Sequence, residues 1–257
     1  MKVVTFNANG IRSAASKGFF EWLSSVDADV VCVQETRAKP DQLKAEQFFP
    51  DGYHCWYNSA ERPGYAGTAI FSKVEPNDVV IGLGWDPVDD EGRWIQLDFK
   101  DVSIVSFYLP SGSAGDEKQV RKEALMARML PEFDRLSRQQ RETIICADWN
   151  ICHKEIDLKN WRSNRKNSGF LPNEREWLDD LFDNRGWVDV FRRVNPDAEQ
   201  YTWWSNRGQA RAKNVGWRLD YMLTTPGIAQ TVVDASIYTD QKLSDHAPLT
   251  MTFDWEL

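Results

Sequence analysis

Two short runs carry residue types suited to acid–base and metal chemistry: Ala147-Asp148-Trp149-Asn150 and Ser244-Asp245-His246-Ala247-Pro248. The first follows the apolar run Thr143-Ile144-Ile145-Cys146, and the second precedes Leu249-Thr250-Met251-Thr252-Phe253. Both apolar runs read as buried strands, and a strand end presents the next side chain on a rigid backbone. Polar residues close other apolar runs in the same way: Asn7 after Val3-Val4-Thr5-Phe6, Gln34-Glu35 after Val30-Val31-Cys32-Val33, and Tyr108 after Ile104-Val105-Ser106-Phe107. Asp220 falls inside the 217–223 run, where an alternating strand turns it toward a cleft. Taken singly, each is a polar residue capping a strand as the chain meets water. Glu35 and Asp220 weigh against that plain reading, because carboxylates are seldom held at the edge of a core without a partner. Several carboxylates in one cleft repel one another, a divalent cation relieves the repulsion, and oxygen ligands of this kind select Mg²⁺ or Mn²⁺. Carboxylates, an amide and an imidazole at one sheet edge suit metal-assisted attack of water on a phosphate ester.

The elements that must hold these groups follow from periodicity. Strand patterns recur at 3–7, 29–34, 68–72, 94–99, 102–109, 143–147, 217–224, 231–238 and 248–255. Helix patterns lie at 13–25, 116–138 and 174–184, with Pro131 expected to kink or divide the second and Gly186 just past the end of the third. Strands alternate with helices early, but adjacent strand pairs also occur. The mixture predicts an α/β fold of two packed, largely antiparallel or mixed β-sheets flanked by helices.

At 257 residues the chain can bury a substantial core, and it reads as one domain without a linker. No window has the ~20 apolar residues a membrane span needs. Met1-Lys2-Val3-Val4 runs straight into strand pattern, so no export signal is expected, and Cys32 and Cys146 inside apolar runs fit a reducing cytoplasm. The net charge of −8 argues against nucleic acid as a partner, yet the charge is uneven. Segments 159–166 and 207–218 carry Lys159, Arg162, Arg165, Lys166, Arg207, Arg211, Lys213 and Arg218 and no acid, interleaved or flanked by Trp161, Trp203, Trp204 and Trp217. Cations beside stackable rings are what a nucleic-acid surface needs. Adjacent strand residues face opposite ways, so one of Trp203 and Trp204 belongs to the core. Of three histidines, His246 is the functional candidate; His54 and His153 read as structural.

The ordered set Asn7, Gln34-Glu35-Thr36, Tyr108, Asp148-Trp149-Asn150, Trp217-Arg218-Leu219-Asp220-Tyr221 and Ser244-Asp245-His246 resembles the exonuclease III type of apurinic/apyrimidinic endonuclease. Gly64-Tyr65-Ala66-Gly67, Tyr108-Leu109-Pro110-Ser111-Gly112 and Asn167-Ser168-Gly169-Phe170 extend the resemblance over nearly the whole chain. It implies a four-layered α/β sandwich and hydrolysis of the phosphodiester 5′ to a base-less sugar in duplex DNA, with 3′→5′ exonuclease and 3′-end cleaning as further activities. It implies Asp148 as water-activating base, Asn150 as its orienting partner, His246 on a phosphate oxygen, Asp220 behind it, and Tyr108 at the phosphate or leaving oxygen. Glu35 is implied as the main metal ligand, with Asn7, Asp245, Asp148 and Asn150 around the ion. Trp203 and Trp217 are implied to line the pocket for the flipped sugar, and Arg218, Arg207, Ser111, Tyr65 and Arg37 to contact DNA. The implied cofactor is Mg²⁺, with Mn²⁺ as substitute; the implied partner is duplex DNA with abasic sites or blocked 3′ ends, bound by a monomer. Asn9 stands where some relatives carry an acid, and Arg37 where a lysine often follows Glu-Thr.

A second reading is a non-catalytic RNA-related regulator similar to the catabolite repression control protein. That protein lacks the Asp-x-Asn pair and the acid before the final His, whereas Asp148, Asn150, Asp245 and His246 are all present here. Clustered carboxylates repel a phosphate ligand unless a metal sits among them, which favours the enzyme. A small-molecule phosphatase is a third reading, and the Arg/Trp-rich 201–217 segment suits a large duplex better.

Overall fold

The computed structural model describes residues 1–257. Fourteen strands run in chain order as β1 (Lys2–Asn7), β2 (Val30–Gln34), β3 (His54–Asn58), β4 (Thr68–Ser72), β5 (Asp78–Ile81), β6 (Trp94–Asp98) and β7 (Val102–Tyr108), then β8 (Glu142–Asp148), β9 (Val188–Asp189), β10 (Trp203–Trp204), β11 (Gly216–Trp217), β12 (Asp220–Thr224), β13 (Val232–Ile237) and β14 (Leu249–Phe253). The helices are α1 (Ile11–Ala15), α2 (Phe19–Val26), α3 (Asp116–Arg138), α4 (Trp161–Asn164), α5 (Pro172–Asp183), α6 (Val190–Val194) and α7 (Pro226–Ala229). One six-stranded sheet has the order β13-β14-β1-β2-β4-β3 and the other β5-β6-β7-β8-β12-β9, while β10 and β11 form a separate ribbon. Each large sheet has one parallel pair at its centre, β1 with β2 and β7 with β8; the remaining pairs are antiparallel.

Strand alternation sorts the apolar residues into three slabs. Val3, Val30, Cys32 and Ile70 from the first sheet meet Ile95, Ile104, Ile144, Cys146 and Met222 from the second. The opposite face of the first sheet (Val4, Phe6, Val31, Val33) packs under Phe19, Phe20 and Leu23 of α2. The opposite face of the second (Val105, Phe107, Ile145, Ala147) packs under α3 and α5 through Met126, Met129, Phe133, Trp177 and Leu178. Helix, sheet, sheet, helix is the four-layered sandwich expected from the resemblance. Cys32, Cys55, Cys146 and Cys152 are free thiols. No helix is long and apolar enough to cross a membrane.

Several element boundaries differ from the sequence pattern for identifiable reasons. The helix expected over 13–25 is two helices, because Gly18 takes a left-handed conformation (φ 90°, ψ 22°) as the residue before α2. The 116–138 helix runs unbroken through Pro131, which lies on the exposed side; Met126, Met129, Phe133 and Leu136 anchor the buried face on both sides of it. The strand expected over 217–224 is divided. Trp217 pairs with Trp203, Arg218 and Leu219 turn aside to bond Asp157 and Thr202, and pairing with β8 starts at Asp220.

Candidate active site

The same alternation that builds the inter-sheet slab places the polar strand ends. In β8, Ile144 and Cys146 face the first sheet, so Asp148 faces it too; in β12, Met222 sets the same direction for Asp220. In β1, Val3 does so for Asn7. Asp148 lies opposite Tyr108 on one side and Asp220 on the other, and Asn7 lies opposite Gln34. The two parallel pairs end at the same rim of the sandwich, so Asn7, Gln34, Tyr108, Asp148 and Asp220 gather there. Buried polar bonds hold the sheets in register beneath them: Gln34 Nε2 donates to Ser106 Oγ (3.1 Å) and to the Cys146 carbonyl (3.3 Å).

Asp148 is 1% exposed, His246 5% and Asp220 0%, so their charges are resolved by one another rather than by solvent. His246 Nδ1 lies 2.9 Å from Asp220 Oδ2, and its Nε2 lies 3.9 Å from Asp148 Oδ2. Burial opposes the imidazolium, but Asp220 and then Asp148 outweigh it and lift the His246 pKa to about 10. The ring is therefore cationic at neutral pH, with Nε2 turned to the cleft. Burial pushes Asp148 up to about 7, with the repulsion of Asp220 and Glu35 adding to it and His246 opposing it. That places a carboxylate base near neutrality, where proton transfer is most efficient. Asn7 Nδ2 bridges the two acids across the cleft, donating to Glu35 Oε2 (2.9 Å) and Asp148 Oδ2 (2.8 Å). Asn150 donates its backbone N–H to Asp148 Oδ1 (2.9 Å) and its side-chain amide to Asp148 Oδ2 (3.1 Å) and the Leu109 carbonyl (2.8 Å). Asn9, Glu35, Arg37 and Asn150 all have positive φ (43°, 52°, 49° and 50°), backbone strain concentrated at one place, as at functional sites.

Glu35, Tyr108, Asp148, Asn150 and His246 line one side of a cleft of about 860 Å³, and Asn7 and Asp220 support them from behind. Its other walls are Trp203, Trp217 and Leu219, then Ser111, Gln119, Lys166, Ser168 and Gly169. Trp203 and Trp217 meet edge to face, centroids 6.2 Å apart. The ribbon carrying Trp203 is tied to the His246 loop: Trp204 N–H donates to the Asp245 carbonyl, Ala247 N–H to the Thr202 carbonyl, and Trp203 Nε1 to Asp245 Oδ2 (3.1 Å). Trp204 is buried, as expected of one member of the pair.

A family model described as the Endonuclease/Exonuclease/phosphatase family matches residues 4–246. This chain belongs to the Endonuclease/Exonuclease/phosphatase family. A Bacillus subtilis exodeoxyribonuclease is 41% identical over 98% of both chains. The DNA repair nuclease APEX1 of Danio rerio is 36% identical over 98% of this chain and 81% of its own. An AP endonuclease from Archaeoglobus fulgidus superposes with a TM-score of 0.90 at 29% identity, covering 99% of this chain and all of that one. The resemblance to the exonuclease III type is borne out, and nothing in these comparisons supports the regulator reading.

Within this family frame the donor set suits a hard divalent cation. Glu35 and Asp148 each offer a carboxylate oxygen, with a ring nitrogen of His246 within 4.8 Å of both; as an imidazolium His246 has no lone pair to give an ion and stays free to face an anion. Glu35 Oε1 and Asp148 Oδ2 each accept two protein donors, whereas Glu35 Oε2 and Asp148 Oδ1 accept one each and keep a lone pair for an ion. Two expected ligands sit differently. Asn7 turns its Nδ2 to the acids while its Oδ1 accepts Asn9 N–H (2.9 Å). Asp245 accepts from Asn9 Nδ2 (2.9 Å), Ser244 Oγ (3.1 Å) and Trp203 Nε1, and stands outside the Glu35–Asp148–His246 cluster. Burial raises and these donors, with His246, lower its pKa, and the net is a carboxyl below its ordinary value.

The DNA-contact candidates divide. Arg37, Ser111, Trp203 and Trp217 line the cleft; Arg37 also grips Glu35 (2.7 Å). Arg207 is exposed outside the lining. Tyr65 packs behind Tyr108 and accepts from Arg93 (3.3 Å). Arg218 is a correction: it is 1% exposed and bonded to Asp157 (2.8 Å) and Asp189 (2.6 Å), so it offers no charge to a ligand. His153 is structural as expected, bonded to Asp179 (2.7 Å). Leu219 was hidden between two charged residues, and Lys122 and Glu174 went unnoticed, although a lysine on the apolar stripe of Leu125, Met126 and Met129 is an available signal.

Proposed function

We propose that this single-domain protein is a metal-dependent DNA-repair nuclease that hydrolyses the phosphodiester 5′ to a base-less sugar in duplex DNA, acting as a monomer. The carrying observation is the placement of Asp148, His246 and Glu35 at the floor of a cleft whose wall is Trp203, Trp217 and Leu219. A nucleotide without a base has no stacking to lose on leaving the duplex, and the C–H face of its sugar fits against the indole faces. Water attacks phosphorus; Asp148 aligns it and takes its proton, while Asn150 fixes both oxygens of that carboxylate. His246, kept cationic by Asp220, faces the phosphate oxygen on which charge accumulates. Tyr108 stands beside Glu35 as a donor to the phosphate or leaving oxygen; burial, then Glu35 and Asp148, push its pKa far up, so it keeps its proton. Glu35 and Asp148 would hold Mg²⁺, with Mn²⁺ as substitute, and the ion would supply charge stabilisation. Arg37, Ser111 and Lys166 border the cleft as phosphate partners. The exodeoxyribonuclease relative supports exonucleolytic trimming at the same site, and Neisseria neighbours of 27–28% identity, described as a 3′-5′ exonuclease and a 3′ phosphatase, support 3′→5′ action and 3′-end cleaning.

The test is a duplex carrying one abasic-site analogue, offered with Mg²⁺ and with chelator. A single metal-dependent cut on the 5′ side of the lesion is expected. Equal cutting of undamaged duplex, or incision unaffected by chelator, contradicts the proposal.

A further inference from the structure

Among the buried ion pairs that the proposed chemistry does not use, one borders the cleft. Lys122 of α3 and Glu174 of α5 are both 0% exposed and 2.5 Å apart. Replacing such a pair by packed apolar side chains is often neutral or stabilising, so its distinctive output is geometry rather than stability. The bonds it makes all run to the cleft. Lys122 Nζ donates to the Asn150 carbonyl (2.8 Å), the one backbone acceptor of a residue held at φ 50°. Glu174 Oε2 accepts the backbone N–H of Gly169 (2.7 Å) and Leu171 (3.0 Å), and Gln119 Nε2 reaches Glu174 Oε1 (3.1 Å).

Gly169 is where the two halves meet. A Cβ on it would lie 3.2 Å from the Asn150 carbonyl oxygen and 3.2 Å from the Trp217 ring, and its φ is +91°. Its carbonyl in turn accepts from Cys152 N–H (2.7 Å). The ammonium therefore fixes the turn that aims Asn150 at Asp148, and the carboxylate fixes the backbone wedged between that turn and the indole wall. We infer that Lys122 and Glu174 form a positioning pair that sets the spacing between the water-activating Asp148–Asn150 turn and the Trp217 face of the sugar pocket.

The inference rests on the proposed nuclease reading, and its test separates the two. Lys122→Met with Glu174→Gln removes both charges while the Gln keeps an acceptor for Gly169 and Leu171. Misplacing a reacting group by a fraction of an ångström is expected to lower kcat on abasic duplex about 10-fold or more, with KM within about twofold. Glu174→Gln alone, the milder change, is expected to move kcat in the same direction and serves if the double variant does not fold. A readout independent of activity is the amide resonances of Asn150 and Gly169 and the Trp217 indole resonance in the free protein, expected to shift together. Folded variants with the parent kcat and unmoved resonances overturn the positioning role. A parent that does not cut at lesions overturns the nuclease reading instead, and the resonances still decide the pair.

Discussion

Arg218 and Asp220 are two residues apart, yet they belong to two buried charge clusters of opposite construction. Arg218 joins Asp157, Asp189 and Arg192, two acids and two guanidiniums, with fork-like contacts of 2.6–3.2 Å from Arg218 to both acids. Asp220 joins Asp148, Glu35 and His246, with only the imidazolium and the exposed Arg37 paired to offset three carboxylates. In the first cluster the pairing wins over burial: Asp157 is desolvated, yet Arg218 and Arg192 bring its pKa down to about 2. In the second, desolvation wins and Asp148 rises to about 7. The balanced cluster is finished by the chain itself and stabilises the loop junctions. On the proposed function, the unbalanced one keeps charge in reserve for a cation and a phosphate; Asp148 facing Asp220 across a strand pair is a like-charge contact that the fold alone would avoid.

The largest effect is expected from breaking the balanced cluster. Arg218→Met leaves Asp157 and Asp189 facing each other in the interior and should destabilise the protein by about 3–5 kcal/mol, read by chemical denaturation. Incision by the molecules that remain folded should be near the parent rate; a selective loss of kcat would return Arg218 to the functional group. In the unbalanced cluster, His246→Asn is expected to lower the incision rate per folded molecule at least about 10²-fold, and to lower stability as well, because it leaves Asp220 and Asp148 buried without their cation. Unaltered incision would remove the imidazolium from the reaction. Glu35→Ala should raise the Mg²⁺ concentration for half-maximal rate by about tenfold or more, the loss expected for a ligand of the ion. An unmoved Mg²⁺ titration takes Glu35 out of the metal site.

The smallest effect concerns acid. The folded pKa of Asp157 lies near 2, below the ordinary 3.8 of an aspartate, so its contribution to stability is fully present above about pH 4 and is lost as pH falls through 2. The shift corresponds to about 2 kcal/mol. Asp157→Asn should flatten that part of the stability–pH curve, and an unchanged curve would show that the pairing does not control its titration.

The contrast also explains what could be seen in the sequence. The proposed catalytic floor is legible because a strand has a period of two and a definite end: Asn7, Glu35, Tyr108 and Asp148 close apolar runs, Asp220 is turned to the cleft by alternation within one, and the family resemblance gives their order. Arg218 was misplaced because a basic run looks alike whether it faces solvent or two distant acids; Asp157 and Asp189 are separated from it by 61 and 29 residues and only the fold brings them in. The same limit hid Lys122 and Glu174, which are 52 residues apart. Edge strands β3 and β5 were missed because their half-exposed sequences, His54–Asn58 and Asp78–Ile81, lack a buried strand's apolar run. Gly18 ended a helix that hydrophobic spacing alone would have continued.

One variant reads both sides of the comparison at once. Asp148→Asn removes a charge that the fold holds at a cost and that the proposed reaction needs. Measured side by side without added metal, its thermal midpoint should equal or exceed that of the parent, while its Mg²⁺-dependent incision of abasic duplex should fall at least about 10²-fold. A midpoint several degrees lower, or incision at the parent rate, would contradict the account of an acid cluster kept for catalysis at the expense of stability.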